Sequence, residues 1–165
     1  MINLTLPPFD LPVREDKGKT YVYDCIRQKY VRFTPEEKVR QSVIRFLAEY
    51  RDYPLGLMAI ELPFKVAARM HKRSDLVVYN RETQPLLLVE CKAPDVRLTS
   101  RVFDQAAVYN LQIKAPYMLI TNGVTHYFME LDRDLGRWQF LFDIPNYAEL
   151  TAMSAVQTAG ESSIS

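Results

Sequence analysis

The sequence has few cysteines, no long apolar run and almost no net charge, and each absence excludes a class of protein. Its 165 residues include two cysteines, Cys25 and Cys91, which are too few for a disulfide framework and lack the spacing of a zinc site. No stretch approaches the roughly 20 apolar residues that a membrane helix needs. The sparse cysteines and the lack of a signal peptide predict a cytoplasmic protein with no membrane contact.

Further absences restrict the possible activities. The sequence contains no GxxxxGK[ST] phosphate loop, so no ATP-driven motor is expected in this chain. It also contains no helix-turn-helix pattern, so the chain is not expected to read a DNA sequence by itself. With 21 Lys+Arg and 20 Asp+Glu the net charge is +1, and any binding of nucleic acid must therefore come from local basic patches.

The composition is that of an ordinary globular domain, with 48% hydrophobic and 25% charged residues. The length suits one domain, and no internal repeat is visible. Prolines and a charged run near the start predict an extended N-terminal arm over residues 1–19. A single domain is expected over 20–155, followed by a polar tail over 156–165.

Local patterns predict an α/β sandwich around a mixed sheet. Thr34, Pro35 and Glu37 form a helix-start signature with a capping box, and apolar residues at helical spacing follow until Arg51. Strands are predicted at 57–64, 74–79, 85–92, 117–121, 125–131 and 138–142, and helices at 100–113 and 147–153. Residues 20–33 are predicted to form a short strand or a hairpin.

Three charged residues at strand ends are the strongest chemical signal. Asp75 lies at the start of one predicted strand, and Glu90 and Lys92 lie at the end of the next. Side chains alternate along a strand, so Glu90 and Lys92 share one face. A short turn joins the two strands, which favours antiparallel pairing and brings Asp75 close to Glu90 and Lys92.

Two carboxylates beside a lysine suit a divalent cation. Mg²⁺, for which Mn²⁺ can substitute, would bind Asp75, Glu90 and the backbone carbonyl of Cys91 and keep several waters. Lys92 would then position or deprotonate a water for attack on a phosphodiester bond. The alternative is that the three residues are ordinary strand-end charges joined in salt bridges.

Basic residues cluster just before Asp75 and on the first helix. The candidates for contacts with DNA phosphates are Lys65, Arg69, Lys72, Arg73 and Arg40, with His71 as part of the same loop. Such contacts give affinity that depends on salt and is independent of base sequence. The alternative is a solvated loop, which is the usual role of a run of charges.

The segment from Ser74 to Lys92 resembles the PD-(D/E)XK nuclease superfamily. More narrowly, the chain resembles the N-terminal nuclease domain of type I restriction enzyme R subunits. The segments that carry this resemblance are TPEEKVRQ (34–41), RSDLVVYN (73–80), PLLLVECKAP (85–94), FDQAAVYN (103–110) and PYMLITNG (116–123). The resemblance implies a restriction-endonuclease-like three-layer sandwich and a Mg²⁺-dependent DNA endonuclease of a restriction–modification system.

The resemblance also assigns supporting roles on the two helices. An acidic residue on the first helix often lies near the metal in this superfamily, and Glu36 is the expected one, with Glu37 as the alternative. Gln105 and Tyr109 resemble a QxxxY pattern in which the glutamine organises the site, while Tyr109 is a lesser candidate for DNA contact. Other restriction–modification subunits are implied as partners, and a homodimer is a further alternative.

A second class of function competes with the enzyme. The same fold could serve as a catalytically silent nucleic-acid-binding or assembly module. Such a module would tolerate loss of an acidic residue or the lysine, whereas Asp75, Glu90 and Lys92 are all present. Their presence favours the endonuclease.

Overall fold

The computed structural model describes residues 5–60, 65–66, 69–70 and 76–163, with the backbone alone for 65–66 and 69–70. The first element is a small antiparallel sheet made of β1 (Val13–Asp16), β2 (Lys19–Asp24) and β3 (Lys29–Arg32). The hairpin predicted within 20–33 is therefore confirmed. Part of the segment expected to be an extended arm is instead a strand, because Val13–Asp16 pairs with β2.

Helix α1 (Pro35–Tyr50) begins and ends where the sequence indicates. The Thr34 hydroxyl accepts a hydrogen bond from the Glu37 amide at 3.1 Å, which satisfies one of the free N–H groups of the first turn. Val39, Val43 and Leu47 lie on one face of the helix and are almost fully buried. This apolar stripe fixes the orientation of α1 on the main sheet.

The main sheet has six described strands in the order β11-β10-β9-β8-β7-β4. Its strands are β4 (Met58–Ala59), which follows a short turn of 3-10 helix at Leu55–Leu57, β7 (Leu76–Tyr79), β8 (Pro85–Cys91), β9 (Tyr117–Thr121), β10 (His126–Asp132) and β11 (Arg137–Leu141). Two-residue strands β5 (Lys65–Val66) and β6 (Arg69–Met70) pair only with each other among the described residues. The β8–β9 pair is parallel and the other neighbours are antiparallel, so the predicted mixed sheet is confirmed.

Helices cover both faces of this sheet. Leu87 and Val89 of β8 pack into one core with α1 and with α3 (Tyr147–Ser162). Leu88, the residue between them, packs into a second core with α2 (Ser100–Ile113). The result is a three-layer α/β sandwich, as the sequence predicts.

The C-terminal helix is longer than the sequence indicates. A short helix over 147–153 and a polar tail over 156–165 are predicted, whereas α3 continues to Ser162. Gln157 donates a hydrogen bond to Glu130 of β10, and Glu161 forms an ion pair with Arg133 at 2.8 Å. These contacts with the sheet hold a helical end that its glycine and serines alone would not favour.

Gly123, just after β9, gives a direct test of the packing between α1 and the sheet. Its φ is +85°, and a β-carbon there would lie 3.1 Å from Cγ2 of Val39. We expect Gly123→Ala to lower the free energy of unfolding by about 2–3 kcal/mol, through backbone strain and overpacking together. Urea denaturation measures this loss.

The matched control is Gly136→Ala, in the turn between β10 and β11. Gly136 also has a positive φ, +62°, but no heavy atom lies within 4 Å of its added β-carbon. This variant should therefore lose only the strain contribution, about 1 kcal/mol. Equal losses in the two variants would show that the Val39 contact does not restrict residue 123.

Candidate active site

Glu90 and Lys92 lie together at the carboxyl end of β8. Leu88 packs against α2, so alternation places Glu90 and Lys92 on this same face of the sheet. Nζ of Lys92 is 2.7 Å from Oε1 of Glu90, and only 13% and 15% of the two side chains are exposed. Charges this shielded from water are costly unless they are paired, and they are common at functional sites.

The strand pairing predicted around the site is confirmed as far as the structure describes it. β7 and β8 are antiparallel, and Leu76 is the partner of Val89. Asp75, the residue before Leu76, lies outside the described residues, as do Lys72 and Arg73. For Lys65 and Arg69 the structure describes the backbone alone, within β5 and β6.

The backbone of Cys91 has a defined orientation. The amide of Lys92 donates a hydrogen bond to the Thr121 carbonyl of β9 at 2.9 Å. In a trans peptide the carbonyl of the preceding residue points the opposite way, so the Cys91 carbonyl points toward β7. The side chain of Cys91 is buried in the core beneath α1. The carbonyl thus points away from β9 and toward the side of β8 that carries β7.

The first turns of α1 lie at the same end of the sheet as Glu90. Val39 packs beneath Gly123, which follows β9, and β9 runs parallel to β8 with Thr121 beside Cys91. Glu36 lies one turn before Val39. Its carboxylate accepts a hydrogen bond from Arg40 at 3.1 Å, and 26% of its side chain is exposed.

Glu37 is the centre of a buried ionic network. Its carboxylate accepts hydrogen bonds from Arg27 at 2.7 Å, from Gln41 at 2.9 Å and from Arg40. Asp24, which is fully buried, binds Arg27 from the other side. The network joins the hairpin β2–β3 to the start of α1.

This network corrects two expectations. Arg40, a candidate for DNA contact, is 4% exposed, and its guanidinium binds Glu36 and Glu37. It is therefore placed to stabilise α1 and not to meet a phosphate. The expected capping box is not formed by the Glu37 side chain either, because its carboxylate binds Arg27 and Arg40. Arg40 follows Glu36 by four residues and Glu37 by three, so helical spacing alone indicates these ion pairs. The role of Arg27 depends on tertiary packing.

Gln105 and Tyr109 lie on the flank of α2 that faces β7. On the opposite flank the Phe103 ring is 5.1 Å from that of Tyr127 of β10. Successive residues are 100° apart on a helix, so Gln105 lies on the other side from Phe103. Gln105 is exposed, and Tyr109 packs partly against the α2 core.

Two kinds of feature are absent from the described ranges. Within residues 5–60 and 76–163 no group of three or more His, Cys, Asp or Glu side chains is arranged to hold a metal ion. No helix in the part of the chain that the structure describes is long and apolar enough to cross a membrane.

Comparison with known proteins connects this architecture to a family. Residues 35–145 match the family described as type I restriction enzyme R protein N terminus. A solved fragment of a putative HsdR subunit of a type I restriction enzyme from Vibrio vulnificus YJ016 is 21% identical, with a TM-score of 0.50. The match covers 71% of this chain and 24% of that chain, so this protein spans about a quarter of the solved relative. No curated protein matches the sequence significantly.

The structural likeness identifies the three-layer sandwich as restriction-endonuclease-like. The family match covers α1, α2 and the strands β4–β11, and it ends before α3. It includes Glu36, Glu90, Lys92 and Gln105. The chain belongs to the family of type I restriction enzyme R protein N-terminal domains.

Proposed function

We propose that this protein is a metal-dependent DNA endonuclease that hydrolyses phosphodiester bonds and works with other restriction–modification subunits in the cytoplasm. The observation that carries the proposal is the shielded pair of Glu90 and Lys92 at the end of β8. Both side chains project from the end of a central strand and lie on the face of the sheet that α2 covers. A nuclease-like role also follows from membership of the R-subunit N-terminal family.

The residues present fit a Mg²⁺ ion. Glu90 offers a carboxylate and Cys91 a backbone carbonyl that points toward β7, and both are hard oxygen donors. We propose Asp75 as the second carboxylate, because it directly precedes Leu76 and the β7–β8 register places Leu76 opposite Val89. Mg²⁺ usually keeps several waters and needs only one or two protein carboxylates, so this small donor set is sufficient.

Each of the chain's own groups at the site has a separate role in the proposed reaction. When bound, Mg²⁺ would supply Lewis acidity and a water that is more easily deprotonated. Lys92 holds the attacking water and stabilises the negative charge that develops on the phosphate oxygens. We propose that Gln105 orients the phosphate from α2 and that Glu36, in the first turn of α1, accepts a hydrogen bond from a water. Burial of the Glu90–Lys92 pair limits bulk water and strengthens these interactions.

DNA would approach the site past the basic residues that precede Asp75. We propose Lys65, Arg69, Lys72 and Arg73 as contacts with the phosphate backbone, since all four precede Asp75 closely in the sequence. Tyr109 is proposed as a contact from α2. These groups would contribute affinity that falls with salt and is insensitive to base sequence.

Metal binding tests the proposal without requiring cleavage. We expect calorimetric titration to show that the wild type binds Mn²⁺ and that Asp75→Ala and Glu90→Gln each weaken binding by at least about tenfold, as loss of a ligand should. Glu161→Gln is the matched control, since Glu161 also pairs with a cation, Arg133, but lies on exposed α3. Its affinity for Mn²⁺ should equal that of the wild type.

A cleavage assay on supercoiled plasmid separates the enzyme from the silent module. The endonuclease predicts nicking with Mg²⁺ that disappears in Glu90→Gln. A protein that binds plasmid but neither binds Mn²⁺ nor nicks DNA would be the assembly module, and the proposed function would then be wrong.

A further inference from the structure

The small sheet β1–β3 presents one face to solvent. Residues that are partners across the strands share a face, and Tyr21 lies between Arg14 and Arg32, while Tyr23 is opposite Tyr30. Lys19 and Asp16 form the next pair on this face. We call this set the aromatic-basic face: Arg14, Asp16, Lys19, Tyr21, Tyr23, Tyr30 and Arg32. The opposite face carries Val22 and Asp24, both fully buried.

The side chains of the aromatic-basic face are arranged as alternating rings and cations. The guanidinium of Arg14 lies 4.0 Å from the centre of the Tyr30 ring, and that of Arg32 lies 5.5 Å from the Tyr21 ring. The Tyr23 and Tyr30 rings meet edge to face at 5.3 Å, and each residue is 37% exposed. Exposed aromatic side chains that lie together and are bordered by polar residues are a common feature of binding sites.

The charges on this face favour an anionic ligand. It carries three cations, Arg14, Lys19 and Arg32, and one carboxylate, Asp16. The neighbouring Arg27 is paired with Asp24 and Glu37, whereas Arg14, Lys19 and Arg32 form no ion pair within the described parts of the chain. Stacking rings interleaved with cations are the features that bind unpaired bases and their phosphates.

We propose that the aromatic-basic face binds single-stranded DNA, with bases stacking on Tyr23 and Tyr30 and phosphates contacting Arg14 and Arg32. A duplex keeps its bases stacked inside and would offer the tyrosines nothing to stack on. The strands β1–β3 precede residue 35, so this site lies outside the segment that matches the R-subunit family. The choice of DNA as the nucleic acid rests on the proposed function.

A cleft runs from this face to the start of α1. Tyr21 and Arg32 line one side of a cavity of about 530 Å³, and Glu36 and Arg40 at the start of α1 line the other. A strand bound to the tyrosines would lie beside this cleft.

Fluorescence anisotropy with a short fluorescein-labelled oligothymidylate tests this proposal. The titration is run in EDTA, so neither metal binding nor cleavage affects the result. We expect the wild type to bind the single strand more tightly than the matching duplex. Tyr30→Ala should weaken binding about tenfold, while Tyr30→Phe, which keeps the ring, should bind like the wild type. Arg14→Gln should lower the slope of log K against log salt by about 0.7, as loss of one phosphate contact does.

Arg137→Ala is the control, because Arg137 is also an exposed arginine on a strand but lies on β11. Its affinity should equal that of the wild type, and thermal melting checks that every variant folds. Wild-type affinity in both Tyr30→Ala and Arg14→Gln would overturn the proposal, and so would tighter binding of oligouridylate than of oligothymidylate. Loss of plasmid nicking in Glu90→Gln with oligothymidylate binding intact would show that the two sites act separately.

Discussion

Replacing Lys92 by methionine should lower the rate of DNA cleavage by at least about 100-fold without loss of metal binding. Methionine keeps most of the length and apolar volume of the lysine stem but removes the ammonium group. That group is 2.7 Å from Glu90, a proposed metal ligand. Losing one group that stabilises developing charge typically costs about 10²–10³ in rate. Single-turnover cleavage of plasmid measures the change.

The metal affinity of this variant is the decisive second readout. The ammonium competes with a divalent cation for the Glu90 carboxylate, so Lys92→Met should bind Mn²⁺ as tightly as the wild type or more tightly. A residue that only supported the fold would give lower affinity and lower thermal stability together. Lys38→Met, at an exposed lysine of α1, is the control and should cleave normally. Cleavage by Lys92→Met near the wild-type rate would remove Lys92 from the mechanism.

Replacing Glu37 by glutamine should lower the free energy of unfolding by about 3–5 kcal/mol. The substitution keeps the shape but leaves the guanidinium groups of Arg27 and Arg40 without their shared counter-charge. Removing one partner of a buried ion pair costs this much, because the remaining charge stays out of water. For a chain of this length the melting temperature should fall by roughly 6–20 °C. Urea denaturation monitored by circular dichroism measures the loss.

Glu49→Gln provides a control on the same helix. Glu49 pairs with Arg45 at 2.8 Å and four residues apart, but their side chains are 46% and 36% exposed. Exposed pairs of this kind contribute at most about 1 kcal/mol. If Glu37→Gln cost no more than Glu49→Gln, the buried network would not be what holds the hairpin β2–β3 against α1.

Lys92→Met and Glu37→Gln together separate catalysis from structure. Lys92→Met should lose activity and keep stability, whereas Glu37→Gln should lose stability first. A Glu37→Gln protein that remains folded at low temperature should still bind Mn²⁺, because Glu37 is committed to Arg27 and Arg40. This outcome would leave Glu36 as the helix carboxylate at the site.

Local sequence determined most of the secondary structure. The cap at Thr34, the helix over 100–113 and the strand over 117–121 match the observed elements, because capping and periodicity act over a few residues. The shared face of Glu90 and Lys92 also follows from the alternation of a strand. The antiparallel pairing of β7 with β8 follows from the short turn between them.

Tertiary structure decided the rest, because those features depend on contacts between distant segments. The extension of α3 depends on contacts with Glu130 of β10 and with Arg133 in the turn after β10, and strand β1 depends on its pairing with β2. Arg40 has the charge of a DNA contact, and only the packing of the hairpin against α1 shows that it is buried. Local pattern sets which residues form an element and which way they face, but the burial and charge partner of a side chain depend on what the fold places against it.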